Sequence, residues 1–91
     1  MNKIELARVI AGRMSMTVVD TLRFIDTMNE VISDSITRDE SVILQNFGHY
    51  VPWYQVERMG RNPRTGQDYM IRRRVSVKFK PGKRLIEKIN K

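Results

Sequence analysis

Between Thr17 and Ile36 apolar residues run around more than one side of a helix, and a short chain has difficulty covering such a surface by itself. Leu22, Ile25, Met28, Ile32 and Ile36 make one stripe, while Val19, Phe24 and Val31 lie beside or beyond it. The chain has 91 residues, which is room for one small core and few other elements. Burial against a second copy is the economical solution, so the sequence predicts a dimer. The methionines and phenylalanine of this segment are read as packing groups, with no cofactor role.

The helical boundaries follow from capping residues. Asn2 is a good N-cap and Glu5 stands three positions later, which starts a first helix near residue 3. Ile4, Ala7, Ala11 and Met14 recur at helical spacing, with Leu6, Val9 and Ile10 widening the stripe and Gly12 weakening the last turn. After a connection at Met14-Ser15-Met16, Thr17 and Asp20 repeat the capping pattern and start the second helix. The two form a helical hairpin. Arg38-Asp39-Glu40-Ser41 breaks the pattern.

Downstream the chemistry changes. Residues 1–50 hold 5 Lys and Arg against 7 Asp and Glu, whereas residues 51–91 hold 12 against 3, so a net charge of +7 is carried by the second half. That asymmetry separates a folding half from a binding half, and a polyanion is the expected partner of the latter. Val42-Ile43-Leu44 reads as a strand, Asn46-Phe47-Gly48 as a turn, and His49 to Val56 as a second strand in which Pro52 marks an edge or a bulge. Tyr69 and Ile71 lead into a returning strand where Val75, Val77 and Phe79 alternate with Ser76, Lys78 and Lys80. One face is therefore apolar and the other cationic. Pro81-Gly82 ends it, and Leu85, Ile86 and Ile89 make a short last helix. The expected class is α+β: an N-terminal helical hairpin, a three-stranded antiparallel sheet with a long β-ribbon arm, and a short C-terminal helix. Residues 1–91 read as one domain, with a helical base over 1–40, sheet and arm over 41–82, and the last helix over 83–91.

The arm's tip is Arg58-Met59-Gly60-Arg61-Asn62-Pro63-Arg64-Thr65-Gly66-Gln67, where Asn-Pro starts a turn and Gly66 can take a positive φ. A two-stranded ribbon has little core of its own, so its purpose lies outside the domain. Arg58, Arg61 and Arg64 flank Pro63, a rigid apolar ring with no N–H to leave unsatisfied. Arg72-Arg73-Arg74 lies behind the tip, and Lys78, Lys80 and Lys83 make a basic rim.

This compound pattern resembles the bacterial histone-like DNA-binding family, which contains HU and integration host factor. The resemblance runs through Asn46-Phe47-Gly48 with Tyr50, Gly60-Arg61-Asn62-Pro63-Arg64-Thr65-Gly66, and Phe79-Lys80-Pro81-Gly82-Lys83. It implies an intertwined dimer whose two β-arms reach around duplex DNA, each tip proline entering a minor-groove step and kinking it. By that resemblance Arg61, Asn62 and Pro63 occupy the minor groove while Arg64, Thr65 and Gly66 shape the tip. Arg58 and Arg72, Arg73 and Arg74 line the arm, Lys3, Lys80, Lys83 and Arg84 face flanking phosphates, and Lys78 of the basic rim is a further DNA-binding residue. The sequence departs from the family where Asn46 replaces the usual glycine, and where Trp53 and Gln55 stand in an arm that is commonly basic. The bulky pair Trp53 and Tyr54 is then available to pack on the body or on a partner.

Other chemistries are poorly supplied. There is no cysteine and a single histidine, His49, expected in a turn with an exposed ring, so neither a metal cluster nor a cofactor is expected. The acids of the basic half are only Glu57, Asp68 and Glu87, scattered too widely for catalysis, and no small-molecule substrate is expected. No apolar run approaches the ~20 residues of a membrane span, and the N-terminus lacks a signal-peptide pattern, so a cytoplasmic, nucleoid-bound protein is expected and no membrane partner. Sequence-tolerant compaction of double-stranded DNA is the favoured function. Site-specific bending of the integration-host-factor kind and RNA or ribosome binding are the alternatives, and the dimer is expected to be of like subunits, with a paralogue as the other option.

Overall fold

The computed structural model describes residues 1–55, 58–61, 63–71 and 74–91, with the side chains of residues 58 and 69–71 outside the description. Its elements in chain order are α1 (Lys3–Met14), α2 (Val18–Thr37), β1 (Val42–Leu44), β2 (Gly48–Gln55), β3 (Arg58–Arg61), β4 (Asp68–Ile71), β5 (Arg74–Pro81) and α3 (Lys83–Ile89). The predicted α+β class and element order are observed. The chain divides into two compact units, residues 1–34 and 35–91.

In the first unit Asn2 caps α1, its side-chain oxygen accepting the Glu5 N–H at 2.9 Å. Thr17 does the same for α2, its Oγ1 accepting from the Asp20 N–H at 3.1 Å, and Asp20 places negative charge at the positive end of the helix dipole. Gly12 lies inside α1, and it is Ser15 that turns the chain, with φ 53° and its N–H bonded to the Ala11 carbonyl. Lys3 Nζ meets Asp26 Oδ1 at 2.8 Å, tying the start of α1 to the middle of α2 as a helical hairpin requires. The buried residues of this unit are Ala7, Ala11, Thr21 and Ile25, mostly small. The Thr21 hydroxyl donates to the Thr17 carbonyl at 2.9 Å, so its burial leaves no orphaned donor. By contrast Val19 is 69% exposed and Phe24 64%. The predicted stripe is partly covered, with Ile25 buried and Leu22, Ile32 and Ile36 half-buried, whereas the apolar residues beside it stay exposed in the single chain.

The second unit begins with the end of α2. The Asp39 N–H bonds the Ile36 carbonyl and the Glu40 N–H the Ser35 carbonyl, and Asp39 takes φ 62°. This is a Schellman ending in which aspartate occupies the left-handed position, a role it tolerates better than most side chains. β1, β2 and β5 form an antiparallel sheet in the order β1-β2-β5, and β3 and β4 form a two-stranded antiparallel sheet. The turn between β1 and β2 sits one residue earlier than the spacing predicts: Asn46 takes φ 69°, the Phe47 N–H bonds the Leu44 carbonyl at 3.0 Å, and Gly48 already belongs to β2. Asparagine in place of glycine at 46 keeps this turn, because its short polar side chain visits the left-handed region.

Gly48 is needed for a different reason. A Cβ there would stand 2.5 Å from the Phe79 ring and 2.6 Å from the Lys80 carbonyl oxygen, so no side chain fits. Phe79 uses that space to pack against Phe47 and Tyr50, with ring centroids 5.5 and 5.0 Å apart. The Gly82 N–H bonds the Phe47 carbonyl at 2.8 Å, which fixes where β5 hands over to α3. Pro52 causes no bulge: β2 pairs with β5 in regular register from Gly48↔Pro81 to Gln55↔Arg74, and β1 stops pairing at Tyr50. From Val51 onward β2 is therefore an edge strand on that side, where a residue without an N–H is tolerated.

Candidate nucleic-acid interface

Register decides what each face of the β2–β5 pair displays. Directly opposed residues share a face. Tyr50↔Phe79, Pro52↔Val77 and Tyr54↔Val75 therefore form one side, and His49↔Lys80, Val51↔Lys78, Trp53↔Ser76 and Gln55↔Arg74 form the other. The first side is apolar, as the alternation in β5 predicts. The second carries Arg74, Lys78 and Lys80 and contains no carboxylate. The described ion pairs are Lys3–Asp26, Arg38–Glu40 and Lys83–Glu87, so among the described residues these three cations have no acidic partner.

Trp53 and Tyr54, predicted as a bulky pair, separate onto opposite faces. The Lys78 ammonium lies 3.8 Å from the Trp53 ring centroid, a cation–π contact within the cationic side. Tyr54, on the apolar side, donates its hydroxyl hydrogen to Asp39 Oδ1 and so joins β2 to the capped end of α2. His49 is not a turn residue with an exposed ring; it is partly buried within β2, opposite Lys80. Strand parity alone separates Trp53 from Tyr54; which of them shares a face with Lys78 is fixed by the register against β5.

β3 and β4 carry the tip. Their register runs from Arg58↔Ile71 to Arg61↔Asp68, and the chain turns over Pro63, Arg64 and Thr65. Gly66 takes φ +70°, as the turn chemistry predicts. The Arg61 Nε donates to the Gly66 carbonyl at 3.3 Å, and the Gln67 N–H donates to Thr65 Oγ1 at 3.3 Å. The first bond crosses the loop and closes it, the second is local to its returning end, and Pro63 and Arg64 are exposed at the tip. A rigid ring is thus presented on a turn closed by one side-chain bond, with guanidinium groups in the same loop.

The remaining predicted site residues are distributed as follows. Arg61, Pro63, Arg64, Thr65 and Gly66 come together in the tip, and Arg74, Lys78 and Lys80 come together on one side of the β2–β5 pair. Lys83 and Arg84 open α3, where Lys83 lies 4.0 Å from Glu87, and Lys3 stands on the helical unit beside Asp26. Asn62, Arg72 and Arg73, and the side chain of Arg58, lie outside the described residues. Among the described residues no group of acids and histidine is arranged to hold a metal ion, and no helix is long and apolar enough to cross a membrane.

A family model described as bacterial DNA-binding protein matches residues 1–90. Over 90 residues the chain is 36% identical to DNA-binding protein HU-alpha of Pseudomonas aeruginosa, covering 99% of this chain and 100% of that one. It is 35% identical over 91 residues to integration host factor subunit beta of Marinomonas sp., covering 99% and 89% respectively. Among solved structures it is similar to an Anabaena HU–DNA cocrystal structure, with a TM-score of 0.87 and 29% identity over 98% of this chain and 97% of that one.

Proposed function

The chain belongs to the bacterial DNA-binding family of HU and integration host factor and is an architectural DNA-binding protein; from that premise we propose that it acts as a homodimer of single-domain subunits that bends duplex DNA of the nucleoid with little regard for sequence. Two tips enter the minor groove, and Pro63 of each wedges into a base step. Arg61, Asn62, Arg64, Thr65 and Gly66 hold the tip against the groove walls, while Arg58, Arg72, Arg73, Arg74, Lys78 and Lys80 carry phosphates along the arm. Lys3, Lys83 and Arg84 take phosphates of the flanking duplex.

The observation that carries this reading is the braced tip. Prying a base step apart costs about a few kcal/mol, and a wedge can only deliver that if its own loop does not yield first. The Arg61–Gly66 bond closes the loop, the Gln67–Thr65 bond orders its returning end, and proline adds a ring that cannot rotate away. In this reading affinity comes mainly from charge and bending from the wedge.

Pro63→Ala separates these two terms. Energy transfer between dyes on the ends of a short duplex is expected to show a much smaller bend for the variant at saturation, with affinity falling by less than about tenfold because the phosphate contacts persist. A variant that bends DNA as strongly as the parent protein would remove the wedge.

A further inference from the structure

Trp53 is the one large aromatic group on the cationic side of the β2–β5 pair, and the dimer reading does not use it. The apolar side, with Tyr50, Pro52, Tyr54, Val75, Val77 and Phe79, is the side suited to burial against another protein surface; Trp53 points away from it by strand parity. The ring is 42% exposed. Directly across from it is Ser76, whose small side chain leaves room beside the indole, and the diagonal positions on β5 are Arg74 and Lys78. A π-face between two cations, on a side without a carboxylate, combines the two features that hold a nucleic acid strand with unpaired bases: stacking for a base and charge for the phosphates next to it.

We infer that Trp53, with Arg74 and Lys78, forms a stacking site for an unpaired nucleobase of DNA on the cationic side of the sheet. The inference rests on the DNA-binding reading above and deepens it. In the free protein the Lys78 ammonium sits over the ring at 3.8 Å and holds the indole in place. When a strand arrives, a phosphate takes Lys78 and the base takes the vacated face, so the ring exchanges a cation for a π-stack. An intact duplex cannot make this exchange, because the faces of its bases are already stacked on one another. The ligand is therefore an exposed base, present either in a single strand or at a gap in a duplex.

Trp53 is the chain's only tryptophan, so its fluorescence reports on this site alone. Dye-labelled oligothymidylate, a gapped duplex and an intact duplex of the same length are titrated with the full-length protein, Trp53→Ala and Trp53→Phe, and the anisotropy of the dye gives the affinity of all three proteins. The unlabelled DNAs are added to the unmodified protein to read its indole. Oligothymidylate and the gapped duplex are expected to quench the indole of the unmodified protein more strongly than the intact duplex does. Trp53→Ala is expected to lose about tenfold more affinity for the oligothymidylate than for the intact duplex, and Trp53→Phe to recover most of that loss. Selective loss on the gapped duplex alone identifies the gap as the source of the base, and loss on both identifies any free strand. Equal losses on all three DNAs, no loss at all, or unchanged fluorescence on adding oligothymidylate overturns the inference, the last even if the variants fail to fold. A larger selective loss on oligouridylate than on oligothymidylate assigns the site to RNA and overturns it as stated. Failure of the unmodified protein to bind intact duplex removes the DNA reading itself, and the stacking site with it.

Discussion

Raising the salt concentration from about 50 to 200 mM weakens binding to duplex DNA by roughly 10³- to 10⁵-fold if a dimer neutralises about 6 to 10 phosphates. The expected slope follows from where the charge sits. The second half of the chain carries 12 basic residues against 3 acidic ones, and Arg74, Lys78 and Lys80 share one side of the sheet with no carboxylate. Each phosphate they contact releases a condensed counterion, and the entropy of that release is what added salt takes away. Titrations at several salt concentrations on two unrelated duplex sequences measure both the slope and the dependence on sequence. Parallel steep lines are the outcome for backbone-dominated binding. A shallow slope, or a steep one on a single sequence, would replace it with base readout.

Phe24→Glu is expected to raise the dissociation constant of the dimer by about 10²-fold or more. Phe24 is 64% exposed in the single chain, and Met28 and Val31, one and two turns further along the same face, are also exposed, an apolar surface that needs a partner. Truncating a phenylalanine in a core costs about 3 to 5 kcal/mol, and a carboxylate placed there adds the cost of an unpaired buried charge. Phe24→Leu keeps an apolar group of similar reach and is expected to remain dimeric. Sedimentation equilibrium over a dilution series distinguishes the cases. If Phe24→Glu stays as dimeric as the parent at every concentration, α2 does not form the subunit interface.

The helices were legible because their signals are local. Asn2 and Thr17 accept the backbone N–H groups their positions predict, and the apolar spacing of the two segments gave the hairpin. The two-faced character of β5 was legible for the same reason, since Val75 to Lys80 alternate within one strand. What escaped the sequence depends on cross-strand register. Trp53 and Tyr54 are neighbours in the chain, yet one joins Lys78 on the cationic side and the other reaches Asp39. Asn46, Phe47 and Gly48 all suit a turn, so residue types alone place the turn before β2 one residue late. The close approach of Phe79 is what makes Gly48 a strand residue with no space for a side chain. In the tip, the turn residues and Gly66 could be read directly, whereas the Arg61–Gly66 brace could not: an arginine before a turn carries no local sign that its side chain closes the loop.

Double-stranded DNA held by this protein is expected to be bent, and energy transfer between dyes on the two ends of a short duplex reads that bend. At saturating protein in low salt the transfer efficiency is expected to rise well above that of free duplex and to fall back as salt displaces the protein. A saturated complex whose ends stay as far apart as those of free duplex would mean that the protein does not bend DNA.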